Sequence, residues 1–131
     1  MKYLLDTNIC IALLKNSDLA IVKKLKSLTP DQVVICSIVK AELLYGARKS
    51  QSVEKNLSLL SKFFDQLESL PFDDAATDFY GTQRSILEKA GTTIGNADLL
   101  IASIALAHDL TVVTRNQKEF IRVQNLRVEV W

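Results

Sequence analysis

Glycine is scarce in this chain, with four residues in 131, and none falls in the pattern of a Gly-rich phosphate loop, so nucleotide-cradling motifs find no support. Gly91 and Gly95 are too weak a signal to name a motif. Histidine is scarcer still. The single one, His108, lies near a helix end at Ala107-His108-Asp109, where capping or surface roles are usual, so neither a catalytic histidine nor a Ser/His/Asp triad is expected. The two cysteines, in Ile9-Cys10-Ile11 and Val34-Ile35-Cys36, lack the spacing of a zinc site or a CxxC motif and read as buried free thiols. The longest apolar stretch, Leu99 to Ala107, is too short to span a bilayer, and Asp6 interrupts the start too early for a signal-peptide apolar region. No membrane partner is expected, and a reducing cytoplasm fits best. A formal charge of +1 neither demands nor excludes a nucleic-acid partner, although residues 1–60 carry nine bases to five acids and residues 61–131 seven to ten.

What is present is a rhythm of apolar runs and amphipathic stretches over a length that suits one domain, residues 1–131. Tyr3-Leu4-Leu5 reads as a buried strand ending at Asp6, with Thr7 or Asn8 capping the helix that follows. Residues 9–15 and 18–28 read as two helices, and Val33 to Cys36 as a second buried strand, with Ser37 capping the next helix. A helix over 52–67, an extended piece at Leu70-Pro71-Phe72 and a helix from Asp73 or Asp74 to Ala90, closed by Gly91, come next. A loop then leads into a helix from about Asp98, a strand Thr111 to Thr114, a short helix from Asn116 and a last edge strand at Val128 to Val130. There is no internal repeat, low-complexity tract or linker. Strand, helices, strand is the pattern of a three-layer α/β/α sandwich with a short, mostly parallel sheet.

Asp6, Glu42, Asp98 and Asn116 each fall where a strand has just ended or a following helix has just begun. In an open parallel sheet such positions converge on one crevice. Three converging carboxylates call for a divalent cation, and a hard cation such as Mg²⁺, held by oxygen ligands and water, acts mostly on phosphate groups.

Each residue also has an ordinary explanation. Asp6 belongs to a turn in which Asp, Thr and Asn all bond nearby backbone, yet Thr7 and Asn8 leave it free to point into the crevice. Glu42 suits a solvent-facing helix position, but it lies beside the packed row Val39, Leu43 and Gly46. Asp98 is favoured in a first helical turn by the macrodipole, and it also shares a face with Ile101, Ala102 and Ala105, where a buried-edge carboxylate needs a partner. Asn116 and Glu119 have the spacing of a capping box, which explains both without function. In the functional alternative Asn116 orients a metal-bound water and Glu119 is an extra acid.

Four segments, Tyr3-Leu4-Leu5-Asp6-Thr7-Asn8, Ala41-Glu42-Leu43-Leu44-Tyr45-Gly46-Ala47, Gly95-Asn96-Ala97-Asp98-Leu99-Leu100-Ile101-Ala102 and Val113-Thr114-Arg115-Asn116-Gln117-Lys118-Glu119-Phe120, together resemble the PIN domain of VapC-type toxins. The order and spacing agree over essentially the whole chain, including the closing Leu126 to Trp131. The resemblance implies a Mg²⁺- or Mn²⁺-dependent endoribonuclease that cuts structured RNA, with transfer RNA the expected substrate. It further implies a toxin held inactive by a VapB-type antitoxin, a homodimer and a higher hetero-oligomer with that antitoxin. By position Asp6, Glu42 and Asp98 are the family's acids and metal ligands. Where many PIN domains carry a fourth acid this chain has Asn116, with Glu119 the nearest candidate to compensate.

For gripping the RNA backbone the candidates are Lys15, Arg48, Lys49, Arg84 and Arg115, and for the antitoxin an apolar groove between the helices of 9–28 and the helix at 52–67. A haloacid-dehalogenase-like phosphatase would need a second Asp two residues after Asp6, where Asn8 stands. A non-catalytic PIN-like RNA- or protein-binding module remains the alternative.

Overall fold

Strand order is what brings distant residues together here. The computed structural model describes residues 2–131, and its five strands form one sheet in the order β3-β2-β1-β4-β5, every neighbouring pair parallel. β1 (Tyr3–Leu5), β2 (Val33–Cys36) and β4 (Thr111–Val113) make the centre, with Leu4 paired to Val34 on one side and Val112 on the other. Buried on both faces, these strands read as unbroken apolar runs, and all four residues of β2 are buried. The edge strands β3 (Glu68–Leu70) and β5 (Arg127–Glu129) expose Glu68 and Arg127 instead.

Between β1 and β2 run α1 (Thr7–Lys15) and α2 (Leu19–Lys26), and between β2 and β3 run α3 (Ser37–Arg48) and α4 (Val53–Asp65). α5 (Asp74–Lys89) and α6 (Asn96–Ala107) connect β3 to β4, and α7 (Gln117–Phe120) connects β4 to β5. The chain steps from β1 to β2 and β3 in one direction and then back past β1 to β4 and β5 in the other, so right-handed crossovers place α1 to α4 on one face and α5 to α7 on the other. α1, α3 and α4 pack in series, and α6 lies against both α5 and α7. α6 is apolar almost all round, burying Leu99, Ile101, Ala102, Ile104 and Ala105.

α5 ends as the sequence predicts. Gly91 takes φ of 68°, its N–H donates to Glu88 O, and Thr92 N–H reaches Leu87 O at 2.9 Å, the paired bonds of a Schellman stop. Three starts differ from expectation. Asp6 itself, not Thr7 or Asn8, caps α1, because its extended backbone lets the carboxylate reach Ile9 N–H at 3.1 Å. Cys36, rather than Ser37, precedes the first residue of α3. The extended edge segment is Glu68–Leu70, ending before Pro71, which lacks the N–H a ladder needs. No helix among the described residues is long and apolar enough to cross a membrane.

Candidate active site

The switch point of the sheet lies between β1 and β4, where the crossovers diverge, and the carboxyl ends of these two strands open the crevice. Asp6 follows β1 directly. Its N–H donates to Val113 O at 3.1 Å, extending the pairing, and its buried carboxylate is bonded at both oxygens. Oδ1 accepts from Ile9 N–H, and Oδ2 accepts from the Thr114 hydroxyl. Thr114, fully buried just past β4, also accepts the Asn116 N–H at 2.8 Å, which leaves its own proton directed at Asp6. Burial pushes the Asp6 carboxyl above its ordinary range and Glu42 adds to the rise, while the bonds from Thr114 and Ile9 pull it down.

The other acids arrive on helices. Glu42, exposed on α3, accepts from Thr7 Oγ1 at 2.5 Å, so the residue after Asp6 orients the second carboxylate. Asp98, half-buried in the first turn of α6, accepts from Asn116 Nδ2 at 3.2 Å. Glu119 on α7 lies beside Gly95, Asp98 and Asn116, and the Gly95 N–H and the Asn116 amide favour its charged form. Burial, then the bond and charge of Glu119, then the charges of Asp6 and Glu42 push Asp98 up to about 7. Glu119 is lowered, chiefly by the neighbouring Asp98 carboxyl.

Asp98 therefore feels the charges of Glu119, Asp6 and Glu42, and Asp6 that of Glu42. The capping-box explanation of Asn116 and Glu119 fails: the Asn116 side chain makes no cap bond to α7, and both side chains turn toward α6 instead. Thr7 and Thr114 were read only as a cap and a strand residue. Their signal was a hydroxyl placed at each central strand end.

His108 lies elsewhere, at the end of α6 and 3.9 Å from Asp73. Cys10 and Cys36 are buried free thiols, both raised by burial and unsuited to nucleophilic work. Of the basic candidates, Arg84 is engaged with Glu88 and Tyr80 on its own helix, Lys49 lies over Tyr45, and Arg115 is paired with Asp18. Lys15 borders a groove of about 380 Å³, lined by Ile11 and Leu14 of α1, Glu42 and Leu43 of α3 and Leu59 of α4. The groove lies between α1 and α4 as expected, while α2 contributes nothing to its lining.

This arrangement matches known proteins throughout. Residues 3–126 fit the PIN domain family, and Ribonuclease VapC2 of Rickettsia felis is 45 % identical over all of this chain and 98 % of its own. The chain belongs to the PIN-domain family, among its VapC-type ribonucleases. A second relative of this VapC chain, the tRNA(fMet)-specific endonuclease VapC of Shigella flexneri, is 40 % identical with the same coverage of each protein. Among solved structures, VapBC2 from Rickettsia felis, bound to a DNA fragment from its promoter, superimposes with a TM-score of 0.93 at 44 % identity over 100 % of this chain and 99 % of that one. DNA-bound VapBC from Salmonella typhimurium gives 0.93 at 38 % identity, covering 100 % and 98 %.

PIN-domain VapC nucleases are generally dependent on a divalent metal. The donor set of this VapC chain suits one: only oxygen ligands, two carboxyls raised by burial and mutual repulsion, and among the described residues no cationic side chain paired with any of the four acids. Among the described residues, no three of these acids close around a single point as a ready-made metal site.

Proposed function

We propose that this VapC-type chain is a Mg²⁺- or Mn²⁺-dependent endoribonuclease toxin that cuts transfer RNA in the cytoplasm, using Asp6, Glu42, Asp98 and Glu119, with Asn116 as a positioning residue. The observation that carries this reading is the junction of Asp98, Asn116 and Glu119. It supplies a fourth acid to the cluster although the residue in the fourth position is an amide. With the acid count restored, a merely binding module loses its main support.

Asp6 and Asp98, on the ends of β1 and α6, are the residues to hold the cation, with Glu42 beside them and Glu119 completing the charge. When bound there, a divalent cation supplies Lewis-acid stabilisation of the phosphate and a water of lowered pKa. Thr114 and Ile9 fix both oxygens of Asp6, so this carboxylate cannot rotate as charge develops. Thr7 holds Glu42, and Asn116 holds Asp98. Attack by water leaves 5′-phosphate and 3′-hydroxyl ends.

The whole chain acts as one catalytic unit and works as a homodimer. A VapB-type antitoxin holds it inactive in a larger hetero-oligomer, with an apolar antitoxin segment in the groove between α1 and α4. The Rickettsia felis and Salmonella typhimurium VapBC complexes support that partnership.

The test is to incubate antitoxin-free protein with total bacterial RNA and Mg²⁺ or Mn²⁺, beside Asp98→Ala and EDTA controls, and to map the new ends. Discrete transfer-RNA cuts lost in both controls are expected. Intact RNA with a folded protein, or 2′,3′-cyclic phosphate ends formed without metal, would overturn the reading.

A further inference from the structure

We propose that Arg115 is a substrate-positioning residue whose guanidinium rests on Asp18 and exchanges that carboxylate for an RNA phosphate beside the cleaved bond. This rests on the ribonuclease reading above and adds a residue and a partner exchange to it.

Arg115 is placed by its neighbours. Thr114 before it donates to Asp6, and Asn116 after it donates to Asp98, so the backbone of Arg115 is pinned on both sides against the acid cluster. Its side chain crosses to the start of α2, 97 residues away in sequence, and pairs with Asp18 Oδ2. The two side chains are 45 % and 30 % exposed. An ion pair so open to water contributes little to stability, and releasing it costs little.

Asp18 is built to let go. Its other oxygen, Oδ1, caps α2 by accepting from Ala20 N–H at 3.0 Å and Ile21 N–H at 3.2 Å, so the carboxylate stays fixed and satisfied when the guanidinium leaves. A guanidinium fork bonds phosphate with the same geometry it uses for carboxylate.

The exchange meets a need of the site. A phosphodiester approaching four acids is repelled, and a cation carried by the chain adds to a bound divalent ion in opposing that field. Arg84 is engaged with Glu88 and Tyr80, and Arg122, whose charge acts on Glu119 alone, donates to Thr93 O. Arg115 is the cation that the chain itself inserts between two residues bonded to the acids, and it is tied only to a partly exposed carboxylate.

The experiment compares Arg115→Ala, Arg115→Lys and Asp18→Asn in the full chain, with total bacterial transfer RNA as the probe. Cleavage is followed with Mg²⁺, and binding is measured over a salt series in an Asp98→Ala background. Asp18→Asn keeps an acceptor for the α2 cap, so it frees Arg115 without uncapping the helix. Arg115→Ala should raise KM roughly tenfold with kcat little changed and flatten the salt slope of binding by about 0.7 to 0.9. Arg115→Lys should recover part of the loss, and Asp18→Asn should bring KM below that of the unaltered protein.

If the pair were only a structural tie, Arg115→Ala and Asp18→Asn would impair the enzyme together, and that shared direction overturns the proposal. An unchanged KM and salt slope in Arg115→Ala also overturn it, while leaving the ribonuclease reading standing. An unaltered protein that neither binds nor cuts RNA overturns both.

Discussion

Asn116 Nδ2 lies 3.2 Å from Asp98 Oδ2, a bond from the start of α7 to the first turn of α6. α7 has only four residues and no side-chain cap of its own. It is held instead by this bond and by Phe120, which is fully buried. The short helix is therefore an arm of the site, with Asn116 at its start and Glu119 within it both set against α6.

Protonation of Asp98 favours the metal-free fold. Asp98 titrates near 7 in the folded protein because burial and then Glu119 oppose its charge, whereas an unfolded aspartate titrates at about 3.9. The folded state thus binds this proton more tightly; its advantage is complete below about pH 4 and is lost as pH rises through about 7. In EDTA the melting temperature should be lower at pH 8 than at pH 6, and Asp98→Asn should flatten the difference. Mg²⁺ should raise the melting temperature more at pH 8 than at pH 6.

Thr114→Val removes the hydroxyl that both accepts from Asn116 N–H and donates to Asp6. Loss of a donor to a buried carboxylate should cost about 1–3 kcal/mol in urea denaturation, together with cleavage activity. Thr114→Ser, which keeps the hydroxyl, should retain most of both. Equal behaviour of the two variants would remove Thr114 from its role in holding Asp6.

Glu119→Gln should lower the cleavage rate by about 10- to 100-fold, the range for groups that support metal ligands. Asn116→Ala should cost less, because the amide gives up one neutral donor and Glu119 still faces Asp98. Single-turnover cleavage at saturating Mg²⁺ distinguishes the two. A larger loss in Asn116→Ala would reverse their assignment.

Gly91→Ala forces a side chain into the left-handed region at φ of 68° and should destabilise the protein by about 1–2 kcal/mol, leaving the cleavage rate of the folded fraction unchanged. Gly95→Ala makes a useful contrast. Gly95 has φ of −59°, and an added Cβ would meet only Glu119 Oε2 at 3.9 Å, so the fold should tolerate it. Urea denaturation of both variants checks the contrast.

Elements with one strong signal were legible in the sequence. β2 was read at its observed limits because a strand buried on both faces has no polar interruption. The stop at Gly91 was legible because few other residues take that backbone conformation without strain. β3 was expected later in the chain, at the stretch containing Pro71, because a half-exposed edge strand has no such continuity and Glu68 looks like helix end. The start of α1 was shifted for a related reason. Asp, Thr and Asn all cap helices, and residue type alone does not say which side chain does so; the structure gives the cap to Asp6.

Taken by itself, the sequence determined the local pattern and the chemistry available: strands from continuous apolar runs, helices from spacing and stops, and acids placed at the junctions between them. Only the tertiary structure decided which groups meet. Thr114 reaches Asp6 across 108 residues of sequence, and Arg115 reaches Asp18 across 97, because β4 lies beside β1. Periodicity records which face of a strand is buried but not which strand becomes its neighbour. The partners of Asp6, Asp98 and Arg115 were therefore set by strand order, a property of the whole chain's packing.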